Sequence, residues 1–449
     1  MSSATEVLAA LLPLRRTVRI GVTGLAKAGK TALLTSLAAN LLAAGAGLAT
    51  LPALGARLGP RRLRVGLAPA GADALPRFDY AAHLAALAAD PPRWPARTNA
   101  VSLLALDLEV TRAAPLALVL PPHRLRLEVL DYPGEWLLDL PLLGQGFAAW
   151  SAAVLRRLEG RPAAAPFLGF LHALPARAGR DEALAASGHT LYRQALEGLR
   201  AEGLALLQPG RFLMPPPGPA PPWLGFFPMT GGGGLAALLE ERYEQYRAAV
   251  RRELSAPGFA GIDRLVVLAD VLAALHAGPA AFADAAAALG EVARALDGQQ
   301  RPAWLPAFLA GLLPFLGGIE RVAFVASKAD HVAERQRGNL AALVNRLAAT
   351  PRATTATFAI AAVRCTEDIV WTLEGHPVSA VRGRVAGEAR AGRSYPGEVP
   401  DRTPDAAFWA HRFLALPDFE PMVLPLGGRG GVPHIGLDLL LDFLLGDLL

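Results

Sequence analysis

Lysine is nearly absent from this chain of 449 residues, in which only three of the 44 basic side chains are lysines. Arginine supplies positive charge almost everywhere else. Each lysine therefore marks a position that favours a compact ammonium group on a flexible side chain. The three positions are Lys27, Lys30 and Lys328. Their surroundings carry more information than the arginine-rich segments do.

Cysteine is limited to Cys365, which excludes an internal disulfide framework and is typical of a reducing compartment. The nine histidines form no HExxH pair, and a CxxC pair is impossible with one cysteine, so no zinc site is predicted. The stretch Met1–Arg16 has no basic segment ahead of its apolar residues, unlike a signal peptide. We therefore expect a cytoplasmic protein.

Long apolar runs that could cross a membrane are also missing. Thr31–Ala56 carries no charge, but Asn40 and several glycines and prolines interrupt it. Leu305–Gly318 has 14 residues with an internal Pro314, fewer than the roughly 20 that a membrane helix needs. Both runs are predicted to belong to the core, and no transmembrane segment is expected.

Basic residues are in modest excess, with a formal net charge of +5. They are spread along the chain apart from a short cluster at Arg61, Arg62 and Arg64, and no long basic run carries interleaved aromatics. A nucleic-acid groove is therefore not expected. The hydrophobic content of 53%, much of it alanine and leucine, predicts a large core rich in helix.

A glycine-rich motif around Lys30 is the strongest functional signal. Gly24–Thr31 matches GxxxxGK[ST] in full and lies between a strand pattern, Arg16–Thr23, and a helical pattern, Ala32–Leu42. In this setting backbone N–H groups and the helix dipole converge on phosphate oxygens. Lys30 is predicted to reach the β- and γ-phosphates, and Thr31 to offer its hydroxyl to Mg²⁺. The predicted nucleotide contacts in this loop are Gly24, Leu25, Ala26, Lys27, Ala28, Gly29, Lys30, Thr31 and Ala32.

An acidic motif follows the next strand pattern. Arg124–Leu130 ends in Asp131-Tyr-Pro-Gly134, a DxxG sequence. Asp131 is predicted to hold Mg²⁺ through water, and the N–H of Gly134 to sense the γ-phosphate. The sequence therefore predicts a nucleoside triphosphate site with a bound magnesium ion.

A switch threonine is predicted between these two motifs. Thr98 precedes the alternating strand pattern Ser102–Val110, where a further Mg²⁺ ligand is expected. Arg97, or alternatively Arg93, is predicted to act as an arginine finger against the charge that develops on the γ-phosphate.

The third lysine lies in a sequence similar to the guanine-reading [NT]KxD motif. Ser327-Lys328-Ala329-Asp330 follows the strand pattern Ile319–Ala326. Asp330 is predicted to accept the N1–H and N2–H groups of guanine, which adenine does not offer. Ala362 and Val363 follow the last strand pattern and are predicted to place a small side chain or a backbone N–H against the base.

The spacing of these motifs indicates an insertion. Roughly 130 residues separate Gly134 from Asp263. Helical patterns dominate this part of the chain, at Ala148–Leu158, Glu182–Leu207 and Leu235–Leu254. We predict an α/β P-loop NTPase fold, a mostly parallel sheet flanked by helices, with a large helical insertion domain. The predicted parts are residues 1–136, 137–262 and 263–449. The last contains a hairpin around Arg382 and Arg384 and a closing helix, Gly436–Leu449, in the core.

Longer strings resemble the YcjX-like family of bacterial P-loop proteins across nearly the whole chain. These strings are Gly24–Thr31, Leu130–Pro141, Gln208–Pro216, Ser327–Val332 and His434–Leu449. The resemblance implies a Ras-like G domain that binds GTP or GDP with Mg²⁺ and carries a helical insertion, and it implies a link to bacterial stress response. It names no effector protein, and it leaves open whether an effector lies at the inner membrane surface.

Two departures from this pattern affect the expected chemistry. Ser327 replaces the usual Asn or Thr, which weakens support of the loop. Glu135 stands where Ras-like proteins place the glutamine that orients water, and its charge repels the γ-phosphate unless it turns away or is protonated. Taken together, the motifs predict Lys30, Arg97, Thr98, Gly134 and Glu135 as catalytic residues.

Three functions remain to be weighed. The first is a Mg²⁺-dependent GTPase with a slow intrinsic rate that acts as a nucleotide-controlled switch. The second is a scaffold that binds GDP or GTP with little turnover and acts through protein contacts. The third, an ATPase or small-molecule kinase, is disfavoured by the Ser327–Asp330 motif.

Overall fold

A computed structural model describes most of the chain. The described residues are 16–25, 27–69, 75–96, 101–112, 121–215, 218–254, 261–297, 319–348, 354–388, 390–411 and 416–449.

Within these residues, seven strands form the central sheet, in the order β2-β3-β4-β1-β5-β6-β7. β2–β3 and β3–β4 pair antiparallel, and every other neighbouring pair is parallel. The prediction of a mostly parallel α/β sheet flanked by helices is confirmed. The strands are β1 (Arg16–Gly24), β2 (Leu63–Leu67), β3 (Ser102–Val110), β4 (His123–Asp131), β5 (Arg264–Ala269), β6 (Arg321–Ala326) and β7 (Thr355–Ala359).

The parallel strands bring their carboxyl ends to one edge of the sheet. β1 pairs with β4 on one side and with β5 on the other, so the chain leaves β1 at the centre. In a sheet of this kind ligands bind outside the carboxyl ends, where the strand order reverses. The residues that follow β1, β4, β5, β6 and β7 are therefore the ones that can form a site together.

Helices cover both faces of the sheet. Their bounds are α1 (Lys30–Gly45), α2 (Pro52–Leu58), α3 (Tyr80–Leu87), α4 (Gly134–Leu137), α5 (Phe147–Leu158), α6 (Ala165–Ala173), α7 (Glu182–Ala201), α8 (Gly210–Leu213), α9 (Gly234–Leu254), α10 (Val271–Ala277), α11 (Pro279–Asp297), α12 (Glu334–Ala348), α13 (Ala406–Trp409) and α14 (Leu437–Leu445).

One face of the sheet packs against helices α1 and α14. Buried side chains of β1 such as Ile20 meet Leu37 of α1 and Leu440 of α14 in a single apolar core. The closing helix therefore docks in the core, as its leucine-rich sequence predicts. The uncharged run Thr31–Ala56 contributes to the same core, whereas Leu305–Gly318 lies outside the described residues.

The opposite face packs against helices from the long segment between β4 and β5. Trp150 of α5, Tyr192 of α7 and Tyr246 of α9 belong to the same continuous core as Leu265 and Phe324 of the sheet. The predicted helical content of this segment is confirmed in its described part. Its treatment as a separate domain, with boundaries after residues 136 and 262, stays a prediction.

One predicted helix is shorter than expected. The pattern Glu182–Leu207 predicts a helix to residue 207, but α7 ends at Ala201. Gly203 adopts a left-handed φ of 88°, and the N–H of Leu204 donates to the carbonyl of Leu199. This backbone reversal is typical of a glycine-terminated helix. The leucine periodicity continues beyond it, which is why the predicted helix was too long.

A small antiparallel sheet follows β7, with strands β8 (Thr366–Leu373), β9 (His376–Arg384) and β10 (Ala391–Ser394) in the order β10-β9-β8. It contains the hairpin predicted around Arg382 and Arg384. Within the described part of the chain, no helix has the length and apolar character needed to cross a membrane.

Candidate nucleotide-binding site

The loop after β1 has the backbone shape of a phosphate cradle. Lys27 and Gly29 both adopt left-handed conformations, with φ of 61° and 86°, and the N–H of Leu25 donates to the carbonyl of Leu268 at 2.9 Å. Gly29 then occupies the N-cap position of α1, and no side chain of the described residues caps it. The positive end of the α1 dipole therefore points at the loop, as anion binding requires.

Gly134 lies directly against this loop. A Cβ atom added to Gly134 would come within 1.4 Å of the carbonyl oxygen of Gly24. The N–H of Tyr132 donates to the carbonyl of Val22 at 2.9 Å, which continues the parallel pairing of β1 and β4. Only a glycine fits such a backbone contact. The DxxG segment and the phosphate loop thus form one surface.

The edge beside Asp131 supplies oxygen ligands suited to a hard cation. Asp131 ends β4 and is buried, and Ser102 of β3 lies opposite it in the register. The Ser102 Oγ is buried and has no hydrogen-bond partner among the described residues. Carboxylate and hydroxyl oxygens are the ligands that Mg²⁺ prefers. Asp131, with Thr31 in the first turn of α1, therefore fits the predicted magnesium site.

Lys328 reaches back to the end of β5. Its backbone is left-handed with φ of 59°, and its Nζ lies 2.6 Å from the Asp270 Oδ2. Asp270 also caps α10 by accepting the N–H of Ala273 at 3.0 Å. The side chain of the guanine-motif lysine is thus held at the carboxyl edge, and Asp270 is a site residue that the sequence analysis missed.

Asp330 is buried and held in place by Cys365. With 1% of its surface exposed, Asp330 accepts from the N–H of Cys365 at 2.7 Å and from its thiol at 2.8 Å, both through Oδ2. The Asp330 carbonyl accepts from the Thr366 hydroxyl. Burial and the neighbouring Asp330 carboxylate raise the pKa of the Cys365 thiol far above its usual range. The neutral thiol is therefore a hydrogen-bond donor that orients the carboxylate.

A comparison with family models matches the YcjX-like family, DUF463, over residues 18–449. Two similar proteins are both named Ras-like GTPase YcjX. The one from Escherichia coli (strain K12) is 34% identical over 455 residues, covering 96% of this chain and 96% of that protein. The one from Shewanella oneidensis is 33% identical over 467 residues, covering 96% of this chain and 94% of that protein.

The chain belongs to the YcjX-like family. The resemblance found in the sequence is thereby confirmed.

The loop after β7 carries the two residues predicted to contact the base. Val363 is buried in a small apolar cluster with Leu424 and Val432, and Ala362 lies between it and the bridge that Ala361 forms with Ile435. The loop contacts Asp330 two residues later, at Cys365. Whether Ala362 and Val363 contact a base stays a prediction.

Several predicted site residues of this YcjX-like chain lie outside its described part, and others are described but have no contact that tests their role. Ala26, Arg97 and Thr98 fall outside the described residues, and the alternative finger Arg93 is exposed. Glu135 is half-buried, and its Oε2 has no hydrogen-bond partner within the described part of the chain. The catalytic roles assigned to Arg97, Thr98 and Glu135 therefore stay predictions.

His331 completes the buried group around Asp330. Its Nε2 lies 3.7 Å from the Cys365 Sγ, and its ring meets Phe419 edge-on at 5.3 Å between centroids. Together with Asp330, these side chains bring three potential metal-ligand atoms within 4.8 Å of one another, a cluster that motif spacing did not reveal. Because the short thiol–carboxylate hydrogen bond joins two of them, we assign the cluster to support of Asp330.

Acid is expected to destabilise the protein through His331. Burial lowers the pKa of His331 below 6.5, so the unfolded chain takes up the proton first as the pH falls. The stabilisation is complete above pH 6.5 and is lost as the pH falls towards the folded-state pKa, with a slope of at most about 1.4 kcal/mol per pH unit. Urea unfolding of His331→Gln between pH 7.5 and 5 should show a shallower dependence than wild type.

The exposed residue His172 offers the matched control, since His172→Gln also removes one histidine. If wild type, His331→Gln and His172→Gln lose unfolding free energy equally over this range, the buried imidazole does not titrate as proposed.

Proposed function

We propose that this protein binds GTP with Mg²⁺ and hydrolyses it slowly, as a nucleotide-controlled switch. The observation that supports the proposal is that both lysine-containing motifs follow parallel strands, β1 and β6, and so lie at the same edge of the sheet. There Lys328 pairs with Asp270, and Asp330 is buried and bound by Cys365. The name Ras-like GTPase, borne by relatives that align over 96% of this chain, supports the same function.

Each residue of the site has a distinct proposed role in binding phosphate or Mg²⁺. Lys30, as the first residue of α1, would neutralise the β- and γ-phosphates, and the N–H of Gly134 would register the γ-phosphate. Thr31 and Asp131 would hold Mg²⁺, which would offset the negative charge that develops on the phosphate oxygens. Thr98 is proposed to complete the magnesium site, and Arg97 to act as the arginine finger.

Slow turnover follows from Glu135. A carboxylate next to Gly134 repels the γ-phosphate and cannot donate an N–H to orient water. The same feature favours a second candidate function, a scaffold that binds GDP or GTP with little hydrolysis. Phosphate release over many turnovers separates the two, since the scaffold releases less than one phosphate per protein. A cytoplasmic role in bacterial stress response, through an effector protein not yet identified, is part of the proposal.

Base selectivity should depend on the Asp330 carboxylate. Titration calorimetry with GTPγS and ATPγS in Mg²⁺ is expected to show strong preference for the guanine nucleotide, and Asp330→Ala to reduce it by about 10- to 1,000-fold, since one partner of a charged hydrogen-bonded pair is removed. Asp330→Asn replaces the acceptor with an N–H donor, which suits the C2 carbonyl of xanthine. That variant should therefore gain affinity for a xanthine nucleotide.

Asp401→Ala is the control, because Asp401 is exposed and its carboxylate pairs only with the adjacent Arg402 in the described part of the chain. Equal binding of both nucleotides by the wild type, or unchanged selectivity in both Asp330 variants, would show that this motif does not read guanine.

A further inference from the structure

A segment of the long insertion packs against the residues that follow the DxxG motif and is hydrogen-bonded to them. A Cβ atom added to Gly210 would come within 1.8 Å of the Glu135 carbonyl oxygen, so the two backbones are in direct contact. On one side of Gly210, the Gln208 side-chain amide donates to the carbonyl of Leu138 at 2.8 Å. On the other side, the Met214 carbonyl accepts from the Trp136 indole at 2.8 Å. The stretch 208–214 therefore follows the stretch 134–139 along its length.

Asp139 is the centre of this contact. It is fully buried, and its Oδ1 accepts from the N–H of Gly210 at 2.8 Å. Its Oδ2 accepts from the Arg211 Nη1 at 2.7 Å and from the Tyr246 hydroxyl at 2.6 Å. Every hydrogen bond that the Asp139 carboxylate accepts in the described structure thus comes from the insertion, two of them from the 208–214 stretch and one from α9.

Arg211 connects the same carboxylate to the end of α9. Only 2% of its surface is exposed, its Nη2 lies 2.8 Å from the Glu253 carboxylate, and its guanidinium lies 4.6 Å from the centre of the Trp136 ring. Its planar fork can bind two carboxylates and stack on an indole at once, which a lysine cannot do. Separating the partners of a buried ion pair would leave an uncompensated buried charge, which is strongly destabilising. We therefore expect Arg211 and its carboxylate partners to move together.

We propose that Arg211 is a positioning residue that couples the γ-phosphate sensor to the helices of the insertion. The coupling rests on the proposed function, since a nucleotide must first act on Gly134. If the γ-phosphate draws the Gly134–Glu135 peptide towards it, the stretch 134–139 shifts, and the stretch 208–214 shifts with it, because hydrogen bonds join the two. Arg211 carries that displacement through Glu253 to α9. The helices between β4 and β5 then report the nucleotide state.

Hydrogen exchange read by mass spectrometry tests this coupling on the full chain. In the wild type, replacing GDP by GTPγS should change exchange in peptides covering 24–31, 131–139, 208–214 and the end of α9. We expect a change of about fivefold or more in 208–214, the lower end of common allosteric couplings. In Arg211→Met the nucleotide effect should persist in 24–31 and be lost in 208–214 and α9.

The chain offers a matched control in Arg264. It is equally buried and also pairs with two acidic residues, Glu320 and Asp447, but it opens β5 and so lies at the opposite edge of the sheet from the site. Arg264→Met should therefore keep the nucleotide effect in 208–214, so a loss confined to Arg211→Met is not general destabilisation.

Two milder variants keep the test decisive if Arg211→Met does not fold. Tyr246→Phe removes only the hydroxyl bond to Asp139, and Arg211→Lys keeps the charge without the fork. Both should reduce the nucleotide effect in 208–214 without abolishing it.

The outcomes separate the coupling from the proposed function. A nucleotide response in 24–31 with none in 208–214, or an unreduced response in the Arg211 and Tyr246 variants, overturns the coupling alone. No guanine-nucleotide response in 24–31 of the wild type overturns the proposed function and the coupling with it.

Discussion

Lys30→Met is expected to reduce GTP affinity by about 2 to 5 kcal/mol, or roughly 30- to 5,000-fold, because it removes a cation that faces phosphate oxygens in a preformed cradle. Lys30 begins α1 directly after the left-handed Gly29, where its ammonium and the helix dipole act on the same anion. Methionine keeps the length and flexibility of the side chain. Equilibrium titration with a fluorescent GTP analogue, at fixed salt and Mg²⁺, measures the change.

Lys27→Met is the control within the same loop. Lys27 is exposed, and an exposed charge contributes about 1 kcal/mol or less, so its loss should weaken GTP binding by roughly fivefold at most. Equal losses for the two variants would show that the loop acts through overall charge and that Lys30 has no special position. Wild-type affinity in Lys30→Met would remove the phosphate-cradle assignment.

Gly134→Ala is expected to have the second large effect, because its added methyl group occupies the position of a backbone atom. The new Cβ would lie 1.4 Å from the Gly24 carbonyl oxygen, and β1 cannot retreat, since a Cβ on Gly24 would itself be 2.5 Å from the Leu268 carbonyl oxygen. The DxxG segment must therefore separate from the phosphate loop. We expect a loss of more than about 3 kcal/mol in unfolding free energy, above the usual range for overpacking, together with loss of GTP binding.

Thermal and urea unfolding with and without GTPγS measure both effects. Gly169→Ala is the control, since a Cβ at that helical position meets nothing within 4 Å and alanine is the better helix former. It should leave stability equal or slightly raised. A Gly134→Ala protein with wild-type melting and GTP-induced stabilisation would mean that the two backbones are not in contact.

Local elements of the fold were predictable because their signals are local. The strand β3 has the bounds that its sequence predicts, Ser102–Val110, and α1 begins at the lysine of the glycine motif. The predicted end of the helix Glu182–Leu207 was wrong, and the cause was also local. The leucine periodicity continues past Gly203, whose left-handed backbone ends the helix. Backbone conformation at one glycine decided that boundary.

The partners of the site residues were not predictable in this way. Cys365 and Asp330 are 35 residues apart, and they meet because the loop after β7 crosses the end of β6. Asp270 was available as an acidic residue at the end of a strand pattern. Its pairing with Lys328 depended on β5 and β6 being neighbours in the sheet. Neither contact has a spacing or periodicity that a sequence displays.

By itself, the sequence determined the phosphate loop, the DxxG segment, the guanine-type motif and the family, because each is a short run of residues whose chemistry depends on immediate neighbours. Tertiary structure decided which of these runs meet and what holds them. It placed Gly134 against Gly24, and it joined Asp139 to Arg211 across 72 residues of chain. The physical reason is burial: a carboxylate removed from water must find its donors in three dimensions, and the packing of the helices against the sheet determines where those donors lie.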